Sequence, residues 1–373
     1  MLALSVPVVV WDLTESVRWV GTAAAAAQLP SFVGSPLGGV WADRYSKRMV
    51  LLLALAAQVA LAFALYRVSV GESISLATLL SLTAANGLAS SVNLSAYQAL
   101  VAEVVPPQQV RSAYKLNAIQ FNASRAIGPA IAGWILATSG APMAFLINSL
   151  AHAPLILALL WIRPKERTRP APSHIVSAIV EAARIAWEIP ALRSSLLTIS
   201  VTSGFGMSVQ QLAKGLTEQV YGVDDAGLGM LVASIGAAAV LTAIGTALIG
   251  ETIRGSSMVR SGLVIYGLGL WVVAGTTDFR VAIVGFAITG FAHVLVNVAV
   301  TTAIQSQVPD AYRGRVTSLQ MMAIILSMAF GAQLGGVLGD QGGLPRVVAG
   351  YGASLIAFAA WGHWRLDRMR ALD

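Results

Sequence analysis

Arg125 is the residue of this chain that most needs a chemical explanation. It lies inside the apolar run 111–138, where a charge facing hydrocarbon would cost about 2.5–3.5 kcal/mol or more, so its guanidinium must face protein or water. Asn117, Phe121, Arg125 and Gly128 are spaced i, i+4, i+8 and i+11, which puts them on one face of a helix. Such a polar and aromatic stripe suits a cavity that receives an anionic or polyphenolic molecule; it equally suits an arginine bonded to the carbonyls of a neighbouring helix. Asn93, Gln98, Gln210 and Asn297 lie at comparable depth in other apolar runs and complete the candidate cavity set, although such groups also bridge helices. No Asp or Glu falls in the middle of a full apolar run. His293, midway along the run 279–305, is therefore the candidate proton carrier, since an imidazole titrates near neutral pH; its other reading is a hydrogen-bonded packing residue.

Other chemistries have no residues to carry them. There is no cysteine, and the four histidines (His152, His174, His293, His363) are too far apart to form a ligand set, so neither a disulfide framework nor a metal centre is expected. No paired carboxylates, nucleophile–base pair or phosphate-cradling loop is present, which argues against an enzyme, an ATP-driven pump or a bound cofactor. The net charge is +7, but the basic residues sit in short segments between apolar runs and form no stripe. Anionic lipid headgroups fit that layout, and nucleic acid does not.

The elements that must position these residues are membrane helices. Of the 373 residues 56% are hydrophobic and 11% charged, and the mean hydropathy is +0.73, more apolar surface than one soluble core can hide. Apolar stretches long enough to cross a bilayer occur at 19–41, 49–67, 75–104, 111–138, 142–162, 192–213, 226–249, 258–277, 279–305, 314–338 and 345–364, with a fragment at 1–11. A polar stretch at 163–191 separates two groups, and its residues 174–188 have the periodicity of a helix lying on the membrane surface. If this linker is cytoplasmic, most of the 24 Lys and Arg residues fall on its side, including Arg44, Lys47, Arg48, Arg313 and Arg315. Arg18, Arg67, Lys214, Arg280 and Arg346 fall on the other. The positive-inside rule then places the linker and the C-terminus in the cytoplasm.

The two groups look like copies. At an offset of 203 residues Gly87 meets Gly290, Pro106 meets Pro309, Gly128 meets Gly331 and Gly133 meets Gly336, while Gly21 and Gly39 meet Gly227 and Gly245 at 206. Duplicated six-helix units are the layout of transporters whose halves rock about a midplane site. By this register the first helix is cut short, either by a misplaced start or in the protein itself. A short first helix also leaves open a sensor or a decayed transporter.

One local signal is more specific. Gly39-Val-Trp-Ala-Asp43-Arg44-Tyr-Ser-Lys47-Arg48 resembles the signature that major facilitator transporters carry between helices 2 and 3. The resemblance implies that Asp43 faces the positive N-terminal end of the span 314–338 and that Arg44 and Arg48 tie neighbouring helix ends, a latch favouring the outward-facing state. Ser46 stands where the signature has glycine. The stretch from Gln98 through Glu103, Pro106 and Pro107 to Asn117, Arg125, Gly128, Pro129 and Gly133 resembles the transmembrane secretion effector branch, which holds enterobactin and macrolide exporters. Ser95 and Tyr97 depart from that branch, which has proline and commonly arginine there. Gly128, Pro129 and Gly133 also resemble half of the helix 5 motif of drug–proton antiporters, and simple helix packing accounts for them as well.

The expectation is an all-α polytopic membrane protein of the major facilitator fold. It has two repeated six-helix bundles, 1–162 and 192–373, joined by a linker at 163–191. The resemblance implies a monomer in a bacterial inner membrane that exports small amphipathic molecules such as drugs, siderophores or secondary metabolites in exchange for protons, a lysophospholipid being the rival cargo.

Overall fold

The computed structural model describes residues 1–71, 74–162, 184, 187–249, 254–308 and 310–364. Every regular element among them is helical. The first half contains α1 (Leu2–Thr14), α2 (Val17–Gln28), α3 (Pro30–Arg44), α4 (Lys47–Val70), α5 (Leu76–Val104), α6 (Val110–Leu150) and α7 (Ala153–Trp161). The second contains α8 (Pro190–Val201), prolonged through short turns to Tyr221, then α9 (Asp225–Ile249), α10 (Gly255–Gly275), α11 (Phe279–Gln307), α12 (Asp310–Gly342) and α13 (Leu344–Trp364). Nearly all of the expected surface helix of the linker lies outside the described residues.

Among the described residues seven helical stretches are long and apolar enough to cross a bilayer unaided, against eleven full spans expected, and each shortfall has a local cause. The span 19–41 is divided at Leu29, where Pro30 opens a new helix as α3. The run through Asn86, Asn93, Gln98 and Glu103 makes α5 polar for its length. The spans 111–138 and 142–162 merge into α6 and α7, turning at Gly140 (φ 74°, ψ 173°). The span from 192 is interrupted by π-helical turns at Thr202–Met207 and Thr217–Tyr221.

The direction of each helix follows from its partners. Arg48 at the start of α4 meets Leu159 at the end of α7, and Ser149, near the end of α6, donates to the Val59 carbonyl midway along α4, so the chain running on into α7 returns to the end from which α4 departs. That end borders the linker. At the far end, hairpins turn through glycines with positive φ, Gly140 and Gly222 (φ 62°) and Gly343 (φ 87°), a conformation that a Cβ would strain.

The repeat is visible in the packing. Gly87 of α5 lies against the backbone carbonyl of Ala27 in α2, and its repeat mate Gly290 of α11 lies against that of Ile235 in α9. Each of these helix pairs belongs to a single half. Between the halves α6 crosses α9 and α12 crosses α2. A methyl on Gly133 would sit 2.5 Å from Gly229 Cα, so α6 and α9 touch backbone to backbone there.

Contact between the halves is concentrated at the far end. α2 packs closely along α12, whereas α3, its continuation towards the linker end, makes few contacts with it. The main apolar core runs through both halves. A separate small core of Val50, Leu51, Leu55, Val92, Leu100 and Leu159 belongs to the linker end of the first half alone. The halves are thus joined at one end and diverge towards the other.

Candidate transport site

The signature residues sit where α3 turns into α4. Arg48 donates from Nε to the Leu159 carbonyl (2.6 Å) and from a terminal nitrogen to that of Leu160 (2.9 Å), so a cation satisfies the last carbonyls of α7. Lys47 pairs with Glu103 near the end of α5. These bonds tie α4 to α5 and α7 within one half. Arg44 is exposed, and Gly39 has open space beside it. The side chain of Asp43 lies outside the described residues, as do those of Arg313 and Arg315 on the facing end of α12.

Two of the cavity candidates of the first half, Asn93 and Asn117, are held in pairs. Asn93 donates to Gln58 (2.5 Å), a buried side chain of α4, and the Tyr97 hydroxyl donates to Asn117 (3.1 Å). Gln98 is exposed. The side chains of Phe121 and Arg125 lie outside the described residues. Ser95, standing where the resembled branch has proline, donates to the Ser35 carbonyl (3.1 Å) and so joins α5 to α3. Pro129 contributes a carbonyl to the contact with Gly229, beside Gly133.

In the second half Gln210 and His293 line one pocket, together with Gly206, Met207, Tyr266, Phe286 and Thr289 among others. A π-helical turn carries Gly206 to the Tyr266 ring, so close that a side chain there would collide with it. His293 is 9% exposed and meets Tyr266 edge-on, their centroids 6.2 Å apart. Inserted π turns widen a helix locally and recur at functional sites. Asn297 lies apart, accepting from Thr301 (3.2 Å).

Two cross-half contacts have no counterpart in the sequence reading. Met328 of α12 lies 3.9 Å from the Gln28 amide nitrogen of α2 and 3.8 Å from that of Gln211. These three side chains sit where the join between the halves gives way to the divergence. At the far end itself, Asp340 of α12 accepts from Ser16 (2.5 Å) and from the Val17 amide (2.7 Å). Beside it in the second half, Lys214, 4% exposed, pairs with Asp225 (2.7 Å) and Glu218 (2.5 Å). None of Gln28, Gln58 and Asp340 was named from sequence, and Lys214 counted only as a basic residue of the far side; the position of Gln28 and Gln58 inside the apolar runs 19–41 and 49–67 is the signal that could have found both glutamines.

Two packed helical halves joined at one end and parting towards the other have the geometry of an alternating-access carrier. The family model described as transmembrane secretion effector matches residues 2–373. This chain belongs to that family. Among relatives, the enterobactin exporter EntS of Citrobacter koseri is 25% identical over 347 residues, covering 91% of this chain and 81% of its own. EntS of Escherichia coli O127:H6 is 25% identical over 366 residues (95% and 84%), and the uncharacterized MFS-type transporter YfiS of Bacillus subtilis is 26% identical over 350 (88% and 80%). Solved major facilitator structures superpose on the whole fold. The xylose transporter XylE of E. coli in an inward-open conformation gives a TM-score of 0.71 at 12% identity, covering 92% of this chain and 85% of that one. A bacterial homologue of the lysosomal transporter Spinster gives 0.76 at 15% (97% and 92%). As a transmembrane secretion effector, the chain is a multi-pass membrane transporter of the major facilitator fold and not an enzyme.

Proposed function

We propose that this transporter is a secondary active exporter of small amphipathic molecules, such as siderophores, drugs or secondary metabolites, driven by proton antiport. It works as a monomer in a bacterial inner membrane, with the linker 163–191 and the C-terminus in the cytoplasm, the orientation that its Lys and Arg asymmetry favours. The bundles 1–162 and 192–373 are the moving bodies. The observation that carries the reading is the one-ended join: two halves in backbone contact at Gly133–Gly229 and separated towards the linker end can rock to expose the space between them to either side. The relatives named as enterobactin exporters support outward transport of an amphipathic cargo.

In this reading Asn93, Gln98, Asn117, Phe121, Arg125, Gln210 and Asn297 supply the cavity groups, with Arg125 attracting anionic or polyphenolic cargo. His293 exchanges the coupling proton. Asp43, with Gly39, Arg44, Lys47 and Arg48, forms the linker-end latch, and Gly128, Pro129 and Gly133 form the hinge surface of helix 5. The test is uptake into everted vesicles of a panel of catecholate siderophores and hydrophobic drugs, with and without a protonophore. Wild type is expected to accumulate at least one compound in a protonophore-sensitive manner, with Asp43→Asn and Arg125→Ala each reduced tenfold or more. Uptake unaltered in both variants would overturn these assignments.

A further inference from the structure

Helices α2 and α12 carry a second cross-half latch, at the end opposite to the one the signature addresses. They run antiparallel between the halves: Asp340 lies at Val17, Ala332 against Gly21, and Met328 beside Gln28. An antiparallel pair has two places where a carboxylate at the C-terminal end of one helix can reach the free amides at the N-terminal end of the other. The family resemblance assigns Asp43, at the end of α3, to the linker-end place. Asp340, in the last turn of α12, occupies the far-end place.

The local chemistry explains why an acid stands there. A carboxylate in the last turn of its own helix opposes that helix's dipole and loses stability by it. Asp340 offsets this by accepting the Val17 amide (2.7 Å), the first of the free donors of α2, and the Ser16 hydroxyl (2.5 Å). Ser16 is the N-cap residue of α2, and it makes no side-chain cap bond to its own helix. Serine ordinarily caps by accepting from its own helix's amides. Here its hydroxyl donates to the other half instead, so the N-terminus of α2 is capped across the interface. Gly336, one turn before Asp340, would bring a methyl within 2.7 Å of the Val17 carbonyl; the missing side chain lets α12 come near enough for the cap to form.

We infer that Asp340 is the far-end latch of the transport cycle, holding the far end shut while the linker end is open, and that Asp43 and Asp340 act in opposition on the same pair of helices. Rocking that closes the linker end draws Asp340 away from Val17, and Ser16 is then free to turn back and cap α2 itself. The direction of this effect rests on the alternating-access reading above. Its size does not depend on what is transported.

The chain has no cysteine, so spin-label pairs can be introduced without background. One pair, Val70→Cys with Gln219→Cys, reports the far end; another, Met49→Cys with Ser306→Cys, reports the linker end. All four positions are exposed. Double electron–electron resonance distances are measured in reconstituted protein carrying Asp340→Ala, Asp340→Asn, Ser16→Ala or Asp43→Asn. Loss of the cap in Asp340→Ala is expected to move the conformational ratio about fivefold towards far-end-open, the equivalent of a helix cap of about 1 kcal/mol. Asp340→Asn, which keeps an acceptor, is expected to move it the same way by less and serves as the test should Asp340→Ala not fold. Ser16→Ala removes a bond from the closed cap and the self-cap of the open state alike, and is expected to move the ratio less than Asp340→Ala does. Populations unchanged in both Asp340 variants, or moved in the same direction as by Asp43→Asn, would overturn the inference. A shift in Asp340→Ala with none in Asp43→Asn would leave Asp340 as the far-end latch and overturn its opposition to Asp43.

Discussion

Lys214 illustrates how a single residue can be read for type without its setting. By sequence it follows a span and counts as one of the few basic residues on the far side. In the fold it is 4% exposed and held between Asp225 and Glu218, whose side chains are 19% and 35% exposed. Nothing in the local pattern brings Asp225 back to it, because the return depends on the turn at Gly222 and the π-helical turn before it. The geometry ranks the two carboxylates. Asp225→Asn leaves a buried ammonium with only its more solvated partner and is expected to cost about 2–3 kcal/mol, somewhat below the 3–5 kcal/mol of a fully buried broken pair. Glu218→Gln is expected to cost about 1 kcal/mol or less. Thermal unfolding in detergent checks the order, and equal losses would contradict it. Asn93 was legible as a polar group at membrane depth, but its pairing with Gln58 was not, since pairing across helices leaves no mark on either helix's own periodicity.

At the scale of elements, hydropathy located the spans because lipid imposes a length on them. What it missed are interruptions that keep the composition unchanged: the break at Leu29, and the π turns at Thr202–Met207 and Thr217–Tyr221. Each changes hydrogen bonding without changing polarity. Close helix contacts divide the same way. Gly133 and Gly245 are both helical glycines in a motif or repeat position, yet only Gly133 meets another backbone. Gly133→Val is therefore expected to wedge α6 from α9 at a cost of about 1–3 kcal/mol and to reduce transport tenfold or more, while Gly245→Ala, with open space beside it, leaves transport within about twofold. Initial rates in the same vesicles, scaled to the amount of folded protein, distinguish the two, and a tolerated Gly133→Val would remove α6–α9 contact from the account.

For the whole molecule, the duplication was legible because packing constrains glycine twice over: Gly87 and Gly290 each admit a neighbouring helix within their own half. The relation between the halves was not legible. It is set by contacts spread over the chain, at Gly133–Gly229, Met328 and Asp340, and although Gly133 belongs to a motif, nothing in the sequence names its partner. The same relation supports the transport reading, since a join at one end only is what lets two rigid halves alternate. The most direct measurement of that claim is transport by the purified protein in proteoliposomes with an imposed pH gradient, using whichever compound the vesicle panel identifies. The account predicts accumulation of that compound above its outside concentration on the proton-rich side, abolished when the gradient is collapsed. Equal movement with and without the gradient, or accumulation on the proton-poor side, would contradict it.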